Sequence, residues 1–257
     1  MFGKYDLIVV GAGHAGCEAA AAAASMGSKV LLATMNMGTI AQMSCNPAIG
    51  GVAKGQIVRE IDALGGLTGI ITDKTMIQFR MLNLSKGPAM WSPRAQSDRL
   101  RFAEEWRLAL EKNKNIDFWQ EMVTSLLIKK NKVIGVKTAL GVEIISKAVV
   151  LTNGTFLNGL IHVGEKNFGG GRTAERSSKG ITEQLEGLGF QSGRMKTGTP
   201  PRVDGRSINY KKMEEQKGDK NSACFSFTTK TPIKKQKSCH ITYTNKKTHK
   251  LLEGGFR

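Results

Sequence analysis

The sequence has few of the residues that cross-link small extracellular domains or hold structural zinc. Its 257 residues include only four cysteines, and no two of them are spaced as C-x-x-C. The absence of this spacing excludes a zinc ribbon and a thioredoxin-like redox motif. Free thiols are typical of a reducing compartment, so we expect a cytoplasmic protein.

Long hydrophobic runs are also absent. No uninterrupted apolar stretch approaches the roughly 20 residues that cross a bilayer, so we expect no membrane span. The N-terminus leads directly into an apolar strand without a charged leader or a cleavage site, so we expect no targeting segment. A chain of this length can bury a sizeable core, as one large α/β domain or two smaller ones.

Acidic residues are scarce beside basic ones. The chain has 38 Lys and Arg against 21 Asp and Glu, a formal net charge of +17. This balance favours an anionic partner, and nucleic acid ahead of a membrane because no basic amphipathic helix stands out. A solvated basic surface without a partner remains the alternative.

The most informative stretch is residues 5–18. The apolar run Leu7 to Val10 predicts a buried parallel strand, and G-x-G-x-x-G follows it and opens an alanine-rich helix. Such glycines permit a tight turn, a close approach to a pyrophosphate and helix–strand contact, while the helix N-terminus attracts the phosphates. The motif predicts dinucleotide binding by Gly11, Ala12, Gly13, His14, Ala15 and Gly16. A glycine-rich turn without a ligand is the alternative.

The end of the second predicted strand departs from the usual dinucleotide pattern. Residues 29–34 are predicted as this strand, and an acidic residue commonly follows it to bind the ribose. Here the sequence is Met35-Asn36-Met37. Asn36 is therefore the candidate for a ribose hydroxyl.

Cys45 lies in the loop Ser-Cys-Asn-Pro-Ala-Ile-Gly-Gly of residues 44–51. Apolar residues at helical spacing follow from Ile57 to Leu64, so we expect Cys45 just ahead of a helix N-terminus with Lys54 nearby. Both features would favour a thiolate. A buried, inert cysteine is the equal alternative.

The middle of the chain completes an α/β pattern. Residues 77–96 are predicted as a polar, basic loop region, and a helix follows from about Ser97. A third parallel strand is predicted from Ile116 to Val123, then an antiparallel meander to residue 145, then a buried strand from residue 148 that ends in a glycine turn. This order is the usual layout of FAD-binding domains. Ser178, beyond the glycine loop 169–171 and in a helix predicted to reach Leu188, is a candidate cofactor contact.

A change of composition follows the turn-rich residues 196–202. We predict one domain at 1–200 and the start of a second, α+β domain at 201–257. The second part has fourteen basic and five acidic residues, with strands predicted at 224–227 and 241–244. Its lysine-rich loop, 230–237, is either an RNA-backbone surface or a disordered solvated loop.

The sequence closely resembles the MnmG (GidA) family of FAD-dependent tRNA uridine 5-carboxymethylaminomethyl modification enzymes. The resemblance runs the full length of the chain, and the block around Cys45 is highly specific. It is carried by residues 11–20, 42–51, 62–66, 85–89, 196–202 and 241–249. Family members are far longer, so we expect an N-terminal fragment that stops inside the inserted domain.

The resemblance implies a reaction at carbon 5 of the tRNA wobble uridine, carried out with the GTPase MnmE by a homodimeric protein. It implies FAD as cofactor, NADH as reductant and methylenetetrahydrofolate as one-carbon donor. Cys45 would act as nucleophile or as base. Val123 would offer backbone groups to the adenine, and Gly50, Gly51 and Lys54 would lie at the pyrimidine end of the flavin.

Three alternatives stay open. The first two concern the parent protein. It would be an NAD(P)H-dependent flavin oxidoreductase without an RNA role, or a folate- and FAD-dependent tRNA uracil-5-methyltransferase. The third alternative concerns the 257-residue chain itself, which would be an inactive partial domain that binds FAD weakly and modifies no tRNA.

Overall fold

The computed structural model describes residues 3–220 and 223–255, and alternates strands with helices. The strands are β1 (Tyr5–Val10), β2 (Val30–Thr34), β3 (Ala48–Gly50), β4 (Met76–Leu82), β5 (Ser92–Ser97), β6 (Ile116–Gln120), β7 (Val123–Lys129), β8 (Lys132–Thr138), β9 (Glu143–Leu151), β10 (Leu160–Val163), β11 (Lys166–Gly169), β12 (Glu214–Gln216) and β13 (Cys239–Ile241). The helices are α1 (His14–Ser25), α2 (Lys54–Ala63), α3 (Thr68–Thr75), α4 (Arg99–Glu111), α5 (Ile181–Gly187) and α6 (Lys246–Glu253).

The central sheet has the strand order β6-β2-β1-β9-β8-β7. The first four strands are parallel, and β8 and β7 form the antiparallel meander with β9. From β1 the chain crosses to β2 on one side, whereas β9 pairs on the other, so the strand order reverses at β1. The α/β class, the first two strands and the meander are confirmed.

The sheet is covered on both faces because β1 alternates its side chains. Val9 belongs to the buried cluster that contains Phe102 and Trp106 of α4 and the alanines of α1. Ile8 and Val10 belong to a second cluster, formed with the meander and with Ile181 of α5. A strand buried on both faces reads as a continuous apolar run, which explains why the first strand was predictable.

The predicted third strand is too long. The observed strand, β6, ends at Gln120, and Val123 begins β7 instead of ending β6. The parallel register pairs Gln120 with Thr34, the last residue of β2, so the backbone beyond it has no parallel partner. Val123 pairs with Thr138 of the meander.

The predicted polar loop at 77–96 is wrong, because β4 and β5 form a small antiparallel sheet with β3 in the order β3-β5-β4. Charged residues obscured the pattern, since Arg80 and Arg94 lie opposite each other on neighbouring strands. Two residues from much later in the same chain cover the free edge of β4. The Gln236 side chain accepts a hydrogen bond from the Phe79 backbone at 2.7 Å, and the Asp219 side chain accepts one from the Met81 backbone at 2.6 Å.

The regular structure of the second part of the chain lies elsewhere than predicted, in β12, β13 and α6. Cys224–Phe227 is not a strand, and the strand predicted at 241–244 is observed at Cys239–Ile241. Phe225 is instead fully buried in the cluster that holds Ile71 and Phe79. The domain boundary after residue 200 stays a prediction, and the structure adds that residues on its two sides share this core.

The segment before that boundary is exposed. A hairpin of β10 and β11, which was not predicted, precedes the glycine loop, and α5 begins only at Ile181. Residues 190–204 form neither helix nor strand and are exposed throughout.

Candidate cofactor site

A cavity lies at the carboxyl ends of β1, β2 and β9. Its volume is about 420 Å³, within the range of small-molecule sites. Val10 pairs with both Ala33 and Leu151, so the three strand ends are level. In open α/β sheets, ligands bind in the crevice where the strand order reverses. The cavity is lined mainly by residues 10–14, 33–36, 42–46, 121–123 and 152–156.

Each glycine of the motif has a different structural role. Gly11 has a φ of +104°, and a Cβ there would lie 2.6 Å from the carbonyl oxygen of Thr152. A Cβ on Gly16 would overlap the carbonyl oxygen of Gly11, so Gly16 lets α1 pack on the strand turn. A Cβ on Gly13 would meet nothing within 4 Å. Gly13 therefore faces open space, which is where a phosphate group would need it bare.

The N-terminus of α1 faces this space with no acidic side chain in its own first turn. Gly13 is its N-cap residue, no side chain caps the helix, and its first turn contains no acidic residue. Unpaired amide groups and the helix dipole at such an end favour an anionic ligand. A pyrophosphate fits this cradle. Ala15 and Gly16 lie inside the helix and do not line the cavity.

His14 lines the cavity with a fixed, neutral ring. Its Nε2 lies 3.1 Å from the carbonyl oxygen of Ala41, and a carbonyl only accepts, so Nε2 carries the proton. The ring packs edge-on against Phe102 at 5.3 Å between centroids. Burial lowers the pKa of His14 below its usual value.

Only part of the Asn36 side chain is free for the predicted contact with a ribose hydroxyl. Asn36 lines the cavity, but its Oδ1 already accepts the Gly38 backbone N–H at 2.8 Å. The side chain thereby caps a short 3-10 turn, Met37–Thr39.

Val123 and Ser178 lie together at the cavity, and their contact with a cofactor stays a prediction. Both are buried and line the cavity, and the Ser178 hydroxyl donates to the Val123 carbonyl oxygen at 3.2 Å. Beside them lies Glu121, which sequence reasoning missed. Its only sequence signal was an acidic residue inside a segment predicted as strand.

Cys45 also lines the cavity, and its side chain is partly exposed. Its Sγ lies 3.7 Å from the hydroxyl of Thr199, and the Arg202 guanidinium donates to its carbonyl oxygen. The expected helix N-terminus is not next to it, because β3 lies between Cys45 and the start of α2 at Lys54.

The predicted flavin contacts Gly50, Gly51 and Lys54 do not line this cavity. A Cβ on Gly50 would lie 2.8 Å from the ring of Phe225, and the Gly51 N–H donates to the Pro93 carbonyl oxygen at 3.0 Å. The two glycines pack against β5 and the buried Phe225, and Lys54 is exposed at the start of α2. Their place at the flavin therefore stays a prediction.

Two further polar groups in the cavity were missed from the sequence. Arg172 makes an ion pair with Glu175 at 2.6 Å, packs over the ring of Phe156 and donates to the Ser44 hydroxyl at 3.0 Å. The Oδ1 of Asn153 is buried without a hydrogen-bond partner among the described residues. A buried polar atom of this kind fits a polar ligand.

Within residues 3–220 and 223–255, no helix is long and apolar enough to cross a membrane. The same residues contain no group of three or more His, Cys, Asp or Glu side chains that could hold a metal ion. The four cysteines are free.

Comparison with known proteins gives consistent matches. The family model described as "Glucose inhibited division protein A" matches residues 6–257. A protein of Cytophaga hutchinsonii named tRNA uridine 5-carboxymethylaminomethyl modification enzyme MnmG is 71% identical over the whole chain. The same-named protein of Christiangramia forsetii is 66% identical. The chain spans 41% of the length of each of these two relatives.

The fold agrees with a solved relative. The structure of GidA from Aquifex aeolicus superposes with a TM-score of 0.94 at 48% identity, and covers 99% of this chain and 43% of its own. A GidA-related protein from Thermus thermophilus shares the fold at 24% identity and a TM-score of 0.54, over 73% of this chain and 69% of its own. The chain therefore belongs to the GidA (MnmG) family described as glucose inhibited division protein A.

Proposed function

We propose that this chain binds FAD at the carboxyl edge of its parallel sheet and forms the N-terminal part of an FAD-dependent tRNA-uridine-modifying enzyme. The observation that carries the proposal is the bare cradle at Gly13, where α1 points its uncapped N-terminus into a cavity at the reversal of strand order. The names of the two relatives, tRNA uridine modification enzymes, support the substrate class.

Different residues of the cavity would contact different parts of the cofactor. The turn at Gly11–Gly13 and the N-terminus of α1 would hold the pyrophosphate. Asn36, Val123 and Ser178 would border the adenosine. Asn153, with its unpaired buried oxygen, would meet a polar group of the ligand. FAD would supply hydride chemistry that no side chain supplies, and the protein would position it.

Cys45 would act on the uridine. Carbon 5 of uracil is a poor nucleophile until a thiolate adds at carbon 6. Once carbon 5 has bonded the one-carbon unit, a base must remove the carbon-5 proton so that the thiolate leaves carbon 6 and the uracil ring is restored. Both roles stay open for Cys45. Cys45 lies in the cavity wall and is partly exposed. A uracil ring would therefore reach its sulfur while the cofactor occupies the end of the cavity at the glycine turn.

The remaining components follow from the family relationship and are part of the same proposal. The parent enzyme would work with the GTPase MnmE as a homodimer in the cytoplasm, on the wobble uridine of tRNA. NADH would reduce the flavin, and methylenetetrahydrofolate would supply the carbon. The chain alone, at 41% of the length of its relatives, would bind FAD weakly and modify no tRNA.

Cofactor binding is tested by titrating the chain with FAD and following quenching of flavin fluorescence. A Gly13→Val variant puts a side chain into open space, so it should fold but bind FAD at least about tenfold more weakly, the value of one charge-assisted hydrogen bond. Gly187→Ala is the matched control, because a Cβ there also meets nothing within 4 Å but lies in α5, away from the cavity. Equal affinity of wild type and Gly13→Val would refute the site.

The RNA role is tested by the salt dependence of tRNA binding. Lys234→Gln/Lys235→Gln in the exposed basic loop should lower the slope of log affinity against log salt by about 1–2. Lys112→Gln/Lys114→Gln, an exposed pair outside that segment, is the control. Reduction of a quinone or small disulfide by the parent protein, without tRNA binding at low salt, would instead support the flavin oxidoreductase.

A further inference from the structure

We propose that the carboxylate of Glu121 recognises the ribose of the adenosine half of the cofactor, and so replaces the acidic residue that is missing after β2. The inference rests on the proposed FAD site and assigns a residue within it. Glu121 lines the same cavity as Asn36 and the glycine turn.

The end of β2 lacks a carboxylate for this task. Met35 and Met37 have no hydrogen-bonding acceptor of comparable strength, and the Oδ1 of Asn36 is engaged by the Gly38 N–H at 2.8 Å. A ribose hydroxyl placed at this strand end would meet no charged acceptor from β2.

The neighbouring strand brings a carboxylate to that place. β6 pairs with β2 in parallel, and Gln120 lies opposite Thr34, so Glu121 emerges one strand away from Met35. Neighbouring strands are about 4.8 Å apart, a spacing that a glutamate side chain covers. The Gln120 side chain also accepts the Met37 N–H at 2.8 Å, which ties the two strand ends together.

The carboxylate is oriented but not saturated. Its Oε2 accepts from the Trp119 indole at 3.2 Å, and its Oε1 accepts from the Leu140 N–H at 2.6 Å. An ionised carboxylate has about four acceptor positions, so each oxygen retains one for a ligand hydroxyl. Among the described residues, Glu121 takes part in no ion pair within 4 Å.

Two consequences follow. A ribose hydroxyl would donate to Glu121 in a charge-assisted bond, which is stronger than a neutral one. A 2′-phosphate at the same place would meet the negative charge of Glu121 and be repelled. The site would therefore select adenosine without a 2′-phosphate.

The test measures binding of ADP, 2′-deoxy-ADP and 2′-phospho-ADP to the full chain by calorimetry. We compare wild type, Glu121→Gln and the control Glu104→Gln, an exposed glutamate of α4 outside the cavity. Glu121→Gln should bind ADP about tenfold more weakly and gain relative affinity for 2′-phospho-ADP. Removal of the 2′-hydroxyl should weaken binding to wild type but not to Glu121→Gln.

The outcomes separate the two proposals. If wild type binds neither ADP nor FAD, the cofactor site itself is wrong. If wild type binds ADP and Glu121→Gln loses affinity for all three ligands by the same factor, Glu121 is only structural and this inference is overturned. Unchanged ADP affinity in Glu121→Gln overturns it as well. Thermal unfolding of each variant shows whether the fold is retained.

Discussion

Gly16 and Gly11 are in contact through bare backbone, and a Cβ on Gly16 would overlap the carbonyl oxygen of Gly11. The same Cβ would lie 2.7 Å from the Thr152 hydroxyl, which donates to the carbonyl oxygens of Val10 and Gly11 at 2.9 Å each. The first helix, the first strand and the end of β9 therefore meet at one point. Gly16 of the glycine motif therefore has a packing role.

This contact predicts that Gly16→Ala is strongly destabilising. The overlapping atoms are backbone, which cannot move aside without separating α1 from β1, so we expect a loss of about 2–3 kcal/mol in the free energy of unfolding. Urea unfolding followed by circular dichroism measures it. Gly13→Val, at the open position, should stay within about 1 kcal/mol of wild type. Similar midpoints for Gly16→Ala and wild type would contradict the packing role.

The half-buried ring of His14 predicts a loss of stability in mild acid. Burial lowers its pKa in the folded state, so the unfolded chain binds the proton more readily as the pH falls through 6.5. The stability contribution is complete above that pH and is lost as the pH falls toward the lowered folded-state pKa. Urea midpoints at pH 8 and pH 5 test this.

His14→Gln serves as the reference for that comparison, because an amide N–H can still donate to Ala41 but does not titrate. Its midpoint should depend less on pH than that of wild type over this range. Asp73 has a raised pKa and acts in the opposite direction in acid, but it is common to both proteins and cancels. Parallel pH profiles would show that His14 does not carry the effect.

The thiol of Cys17 predicts a second loss of stability, in alkali. Its side chain is fully buried, and burial raises its pKa to about 12. The unfolded chain ionises at a lower pH, so stability is present below about pH 9 and falls by about 1.4 kcal/mol per pH unit between 9 and 12. Cys17→Ala should remove this slope. A thermal-melting series from pH 8 to 11 decides the question, and identical slopes would refute it.

The hydrogen bonds of Asp73 indicate how the lysine-rich residues 217–237 are attached to α3. Its carboxylate accepts the backbone N–H groups of Phe225 at 2.5 Å and Ser226 at 2.9 Å, and its pKa is raised by burial. Asp73→Ala would leave both donors unpaired, which costs about 1–3 kcal/mol for each buried group. We expect trypsin to cleave the neighbouring lysine-rich residues 217–237 faster in this variant.

The control for that experiment is Asp204→Ala, which removes an exposed carboxylate paired with Arg206 at 2.8 Å. Surface ion pairs contribute little to stability, so its cleavage rate should match that of wild type. Equal rates for Asp73→Ala and wild type would mean that the other contacts of these residues, such as buried Phe225 and the bonds of Asp219 and Gln236 to β4, hold them without Asp73.

The sequence predicted the elements whose side chains face a single, uniform environment. β1 and β2 are apolar on both faces, and Asp98 caps α4 as the Ser97-Asp98 pair indicated. β4 and β5 were missed because Gln78, Arg80 and Arg94 are polar, although Gln78 is buried. Its side-chain amide donates to Gln216, about 140 residues away, and a local pattern contains no trace of that partner.

The sequence by itself determined the opening strand, the glycine turn and the helix behind it, because those features depend on neighbours within about twenty residues. It also determined the family, because the motifs that carry the resemblance, spread over residues 11–249, are recognised without any tertiary contact. Only the tertiary structure decided that Glu121 and Cys45 share one cavity, and that Gly50 and Gly51 pack on Pro93 and Phe225 instead. The physical reason is that strand register and long-range burial bring these residues together. A parallel pairing such as Thr34 with Gln120 joins positions that lie 86 residues apart in the chain.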